Sequence, residues 1–194
     1  MKAWLLLCLL ALPALALTPG DKAPDFTLQG SDGKSYQLSE FTGRYVILEW
    51  TNDQCPFVQK HYDSGNMQGL QQAYTGQGVV WLSVISSAPG KQGHVTAQQA
   101  NQLSASRGAH PSAVLFDQDG AVGRRYGART TPHLFIIDKT GTLQYMGGFD
   151  SIASADPADI PKARNYVKAA MDALLAGKTV PTPVSRPYGC SVKY

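Results

Sequence analysis

The sequence predicts an α/β domain, a sheet with helices packed on both of its faces. Three observations carry that expectation. Four continuous apolar runs rich in β-branched residues, 44–50, 79–85, 112–117 and 131–138, suit strands buried on both sides. Helix-compatible stretches separate most of these runs, the order that builds a sheet covered on two faces. Near the end, Ile160, Ala163, Val167, Ala170, Met171 and Leu174 recur at helical spacing.

The elements follow in order. The N-terminus has Lys2, an apolar stretch from Trp4 to Leu12 and a small-residue exit at Ala14-Leu15-Ala16, the pattern of a signal peptide over residues 1–16. A membrane span needs ~20 apolar residues, and Pro13 ends this stretch short of that. No stable membrane insertion is expected once the leader is removed, and the location expected is periplasmic or secreted. Cys8 lies inside the apolar run and receives no role.

Two short alternating segments flank the turn-rich cluster Ser31-Asp32-Gly33-Lys34, which predicts a hairpin. After the strand at 44–50 come polar residues, then Cys55 and Pro56. Proline suits a first helical turn, where its missing donor would have no partner, so Cys55 is placed at a helix N-terminus. That helix is expected to break at Asp63-Ser64-Gly65-Asn66 and resume with Met67, Leu70 and Tyr74. A further helix should run from the capping hydroxyl of Thr96 to about Arg107, and 142–149 reads as a closing edge strand. The terminal helix should run from about Asp159 to Gly177. Beyond it, residues 178–194 carry Pro181, Pro183 and Pro187 and no acidic residue, the composition of an extended tail. At ~3.3 Å per residue, the stretch from Lys178 to Cys190 is long enough to cross a small domain.

Composition narrows the function. The chain of 194 residues, 43% hydrophobic and 16% charged, is long enough for one globular domain with a core. Its net charge is only +3 and its basic residues are scattered, so nucleic acid is not an expected partner. Without the leader, Cys55 and Cys190 are the remaining cysteines. One pair is then available as a catalytic couple, a staple or a metal site, and the count does not choose.

The order of elements, with the residues themselves, resembles the thioredoxin superfamily, and within it the alkyl hydroperoxide reductase and thiol-specific antioxidant branch. The first resemblance lies in Ala23-Pro24-Asp25-Phe26 with the Gly33-Lys34 turn, Leu38-Ser39-Glu40-Phe41 and the strand to Trp50. The second is Cys55-Pro56 at a strand-to-helix junction, and the third is Thr131-Pro132 before a strand, similar to the family's cis-proline segment. The resemblance implies a thioredoxin fold over 17–177, with a central mixed sheet flanked by helices, an N-terminal β-hairpin extension and the tail 178–194. Gly189-Cys190-Ser191-Val192-Lys193 resembles the ending of a peroxiredoxin-like subfamily with one nucleophilic cysteine.

The sequence departs from both relatives. Val58 stands where a thioredoxin has its second cysteine. Asn52, Leu48 and Pro132 stand where a peroxiredoxin has threonine, proline and arginine. The expected function is therefore thiol-disulfide exchange or peroxiredoxin-like reduction, an oxidoreductase with antioxidant activity acting on a thiol, a disulfide or a peroxide and needing no cofactor. Cys55 would attack, since a helix N-terminus favours thiolate, and Cys190 in a flexible tail would resolve the product or else staple the tail. Thr131 and Pro132 would offer main-chain groups to an extended substrate, with Trp50 and Phe57 at an apolar rim and Arg129 or Thr51 in a substrate-side polar role. Glu49 is either a proton acceptor beneath the thiol or a strand carboxylate facing a helix. The alternative is an exported metal-binding or scaffold module without catalysis. His61 and His133 could join the cysteines in a metal site, but no close ligand spacing supports it, and His61 could equally lie on an exposed helix face.

Overall fold

The computed structural model describes residues 16–194, so the expected leader lies outside the described residues apart from Ala16. The predicted hairpin forms as β1 (Thr27–Gly30) and β2 (Ser35–Gln37). The four apolar runs become β3 (Val46–Trp50), β4 (Val80–Ile85), β5 (Ala113–Phe116) and β7 (His133–Ile137), and β8 (Leu143–Gly147) closes the edge. Their order across the sheet is β2-β1-β5-β4-β3-β7-β8. β3, β4 and β5 run parallel while β7, β8 and the hairpin run antiparallel, which makes the sheet mixed.

Every residue of β3, β4 and β7 is buried, because helices cover both faces. On one face Ile47, Leu134 and Ile136 pack against α1 (Pro56–Asp63), α2 (Asn66–Thr75) and α5 (Tyr166–Leu175) through Val58, Met67 and Met171. On the other, Leu48, Trp50 and Phe135 meet Val122 and Tyr126 of α4 (Ala121–Tyr126). α3 (Ala97–Ser106) covers a smaller cluster of Ile85, Val95 and Val114 and begins at Thr96 as expected, in a reciprocal capping box with Gln99. No helix among the described residues is long and apolar enough to cross a membrane.

Three expectations change. The terminal helix does not start near Asp159: residues 157–162 form a 3-10 helix containing Pro161, and α5 begins only after Asn165, whose side chain caps Lys168 N at 2.9 Å. Pro161 has no N–H to continue an α-helical ladder. Residues 121–126, where no helix was expected, form α4. The tail is not a free arm but lies along the body, where β9 (Cys190–Ser191) pairs antiparallel with β6 (Thr130–Thr131).

Candidate active site

Cys55 is the extended residue just before α1, with Pro56 at the first helical position. Asn52 shapes the approach. Its side-chain oxygen accepts from Gln54 N at 2.9 Å, its carbonyl accepts from Cys55 N at 3.1 Å, and its amide donates to Gln92 O at 3.3 Å. The side chain that replaces the peroxiredoxin threonine thus turns the loop.

The Thr131–Pro132 bond is cis, and the Cys55 thiol donates to the Thr131 carbonyl at 3.0 Å. Cys190 is the register partner of Thr131 across β6 and β9, which brings the two thiols into contact. Both sulfurs are free; Cys55 is buried and Cys190 half-buried. Burial pushes the Cys55 thiol up, but contacts with the Cys190 and Thr131 side chains and with the backbone N–H groups of Cys190 and Val58 outweigh it, and its pKa lies below the usual thiol value. Cys190 moves the opposite way, to about 11, through burial, the contact with Cys55 and the negative charge that Cys55 carries as thiolate. Cys55 is therefore the sulfur that ionises first.

The tail is held at two more places beside the sulfurs. The Tyr188 hydroxyl donates to Asp150 Oδ1 at 2.6 Å, and the Tyr188 ring meets Phe57 edge-on at 5.8 Å. Asp150 is buried with Lys60, whose ammonium lies 3.2 Å from Oδ2 and also donates to Ile152 O. His61 stacks on Phe149 at 4.0 Å, with Nε2 3.8 Å from Asp150. It is fully buried and not on an exposed face. Burial lowers its pKa to about 4 against the pull of Asp150, with Lys60 adding to the fall.

The remaining candidates are dispersed. Trp50 lies on the opposite face of the sheet from Cys55, donating to Ser86 Oγ at 2.9 Å, and forms no rim; Phe57 does, against Tyr188. The exposed Arg129 side chain lines a cavity of about 690 Å³ with Arg124, Arg125 and His133, and Cys55 is not among the lining residues. Arg129 reaches the site through its carbonyl, which accepts from Val192 N at 3.0 Å. Glu49 is buried beneath α1 and α2, accepting from Trp81 Nε1 at 2.8 Å, Ser83 Oγ at 3.0 Å, the Tyr62 hydroxyl at 3.0 Å and Gln71 Nε2 at 3.4 Å. Burial raises its pKa despite those donors. His133 lies on the Trp50 side, ring-to-ring with Phe135 at 4.5 Å. Among the described residues no three His, Cys, Asp or Glu side chains are placed to hold a metal ion. Sequence reasoning missed Lys60, Asp150 and Tyr188 altogether, since an isolated charge or phenol carries no signal of a partner 38 or 90 residues away.

A mixed sheet that presents a helix-capping cysteine to a cis-proline segment defines a thiol protein of the thioredoxin superfamily. Residues 19–146 match the AhpC/TSA family, and the chain belongs to that family. It is similar to the thiol-disulfide oxidoreductase ResA of Geobacillus thermodenitrificans, 26% identical over 129 residues that cover 66% of this chain and 68% of that protein. Among solved structures, a hypothetical protein of Sinorhizobium meliloti superposes with a TM-score of 0.75 at 27% identity over 93% of this chain and 96% of the other. An uncharacterized conserved protein of Geobacillus kaustophilus shares the fold, with a TM-score of 0.77 at 24% identity over 95% and 98% of the two chains.

Proposed function

We propose that this chain is an exported thiol oxidoreductase in which Cys55 attacks and Cys190 resolves. The observation that carries the reading is the placement of Cys190 opposite Thr131, against the sulfur that ionises first. In the first step the Cys55 thiolate attacks one atom of an O–O or S–S bond. The other atom leaves with the electron pair and takes up a proton. Cys190 then attacks the Cys55 sulfur, expelling the first fragment as water or as a thiol and leaving a Cys55–Cys190 disulfide. Two thiols are oxidised as one two-electron bond is reduced, and an external dithiol restores the pair.

The two thiol pKa values support this order. Cys190 is held protonated partly by the negative charge on Cys55. Oxidation of Cys55 removes that charge, so the resolving thiol ionises more readily when it is needed. Thr131 and Pro132 shape the backbone on the substrate side, and the signal-peptide pattern of residues 1–16 favours work outside the cytoplasm. Mass spectrometry of alkylated protein after a mild oxidant tests the proposal. A Cys55–Cys190 link should appear in the wild type, and Cys190→Ser should stop at sulfenic acid or a mixed disulfide on Cys55. If neither peroxide nor a small disulfide modifies Cys55, and Cys55→Ser leaves consumption of both unchanged, the reading fails.

A further inference from the structure

An unpaired strand edge beside a reactive sulfur is a docking place for an extended polypeptide, because its main-chain groups pair with any sequence. In this chain that edge is already occupied. Thr130 and Thr131 are in register with Ser191 and Cys190, and Val192 N donates to Arg129 O at 3.0 Å. The occupation is anchored on both sides. Met146 N donates to Pro183 O at 3.0 Å, Ser185 N to Met146 O at 3.1 Å, and Ala88 N to Lys193 O at 2.9 Å. The Tyr194 hydroxyl donates to Ala128 O at 2.8 Å, under the Arg124 guanidinium 4.6 Å from its ring.

The body is shaped to receive the tail. A Cβ on Gly123 would run into the Tyr194 ring, and one on Gly148 would come within 2.8 Å of the Arg186 carbonyl. Neither glycine has a positive φ, so the backbone does not demand glycine there. The space freed by both is filled by the tail.

Resting on the reading of Cys55 as nucleophile, we infer that the tail is a built-in occupant of the substrate edge, which restricts Cys55 to small oxidants and excludes polypeptide disulfides. A hydroperoxide or low-molecular-mass disulfide needs only a local movement of the Cys190 side chain. A polypeptide needs the whole of β9 to leave, with its main-chain hydrogen bonds and the Tyr188 bond to Asp150.

The test uses full-length Cys190→Ser protein, in which the tail remains and a disulfide on Cys55 is trapped. The Cys55 thiolate attacks either a small aromatic disulfide or a decapeptide whose cysteine is activated as the same aromatic disulfide, and the aromatic thiolate released is read by absorbance. With the tail docked, the peptide should react about tenfold to a hundredfold more slowly than the small disulfide, the cost of breaking a few hydrogen bonds first. Adding Gly123→Ala and Gly148→Ala should raise the peptide-to-small-disulfide ratio about tenfold or more. Tyr188→Phe, which keeps the shape of the tail and loses the bond to Asp150, should raise it in the same direction. An equal rate for both reagents with the tail intact, or a ratio unmoved by all three substitutions, overturns the inference. So does fast hydrogen exchange at Val192 N–H in the wild type. If the small disulfide too leaves Cys55 untouched, it is the nucleophile that has failed.

Discussion

At Cys55 burial and hydrogen bonding oppose each other, and hydrogen bonding wins chiefly through the Cys190 thiol. Alkylation of Cys55 should therefore rise with pH around a midpoint below that of an ordinary thiol. Cys190→Ala should move that midpoint upward, while Cys190 in the wild type stays largely unmodified until the pH nears 11. Alkylation rates resolved by mass spectrometry for each cysteine measure both. Lys60 and Asp150 are a second residue-scale test, since both side chains are nearly without exposed surface. Asp150→Ala leaves a buried ammonium without its counter-charge and should cost about 3–5 kcal/mol of unfolding free energy. Urea denaturation reads that loss, and Lys60→Met in the same protein should recover much of it.

Among the elements, α1 begins where it does because Pro56 accepts a first helical turn and Asn52 turns the loop before it. The break before α2 falls at Gly65, whose φ of 75° is open to glycine at little cost. These signals are local and could be read from neighbouring residues. α4 could not, because six residues between Gly120 and Gly127 give only Val122 and Tyr126 on one face, too short a run for periodicity to show. The start of α5 was misplaced because Ile160 and Ala163 continue the apolar spacing across Pro161. With Asn165 as the true cap, Asn165→Ala should lower stability by about 1 kcal/mol, whereas Asp159→Ala, outside α5, should not weaken that helix. Thermal or urea unfolding of the two variants separates these boundaries.

For the whole molecule, buried titratable groups set the response to acid. His61 and His133 have folded pKa values near 4 and 3 against about 6.5 when unfolded, so unfolding takes up a proton at each as pH falls below about 6.5. The stability each confers as a neutral imidazole is complete above that pH and declines below it. Glu49, raised by burial, acts with the opposite sign, since the folded state keeps a proton that the unfolded chain releases. Between about pH 5 and 6 the two histidines together take up nearly two protons on unfolding, or up to roughly 2.7 kcal/mol of stability lost per pH unit of acidification, and the raised Glu49 subtracts from that slope. Glu49→Gln should steepen that slope toward two protons, and His133→Phe should flatten it. Urea unfolding at several pH values gives the slope directly.

The sequence by itself determined the strand runs, the hairpin, the helix starting at Pro56 and the capped start at Thr96. Each depends on the conformational preference or burial pattern of adjacent residues. It also marked Cys55, because a cysteine before a helix-starting proline is a local arrangement. Only the tertiary structure decided that the tail docks, that Trp50 faces away from the sulfur, and that Lys60, His61 and Asp150 are buried together. Periodicity tells which face of an element is covered but not what covers it. Cys55 meets Thr131 across 76 residues, and Tyr188 meets Asp150 across 38. Such pairings acquire their energy only when folding removes water from both partners at once.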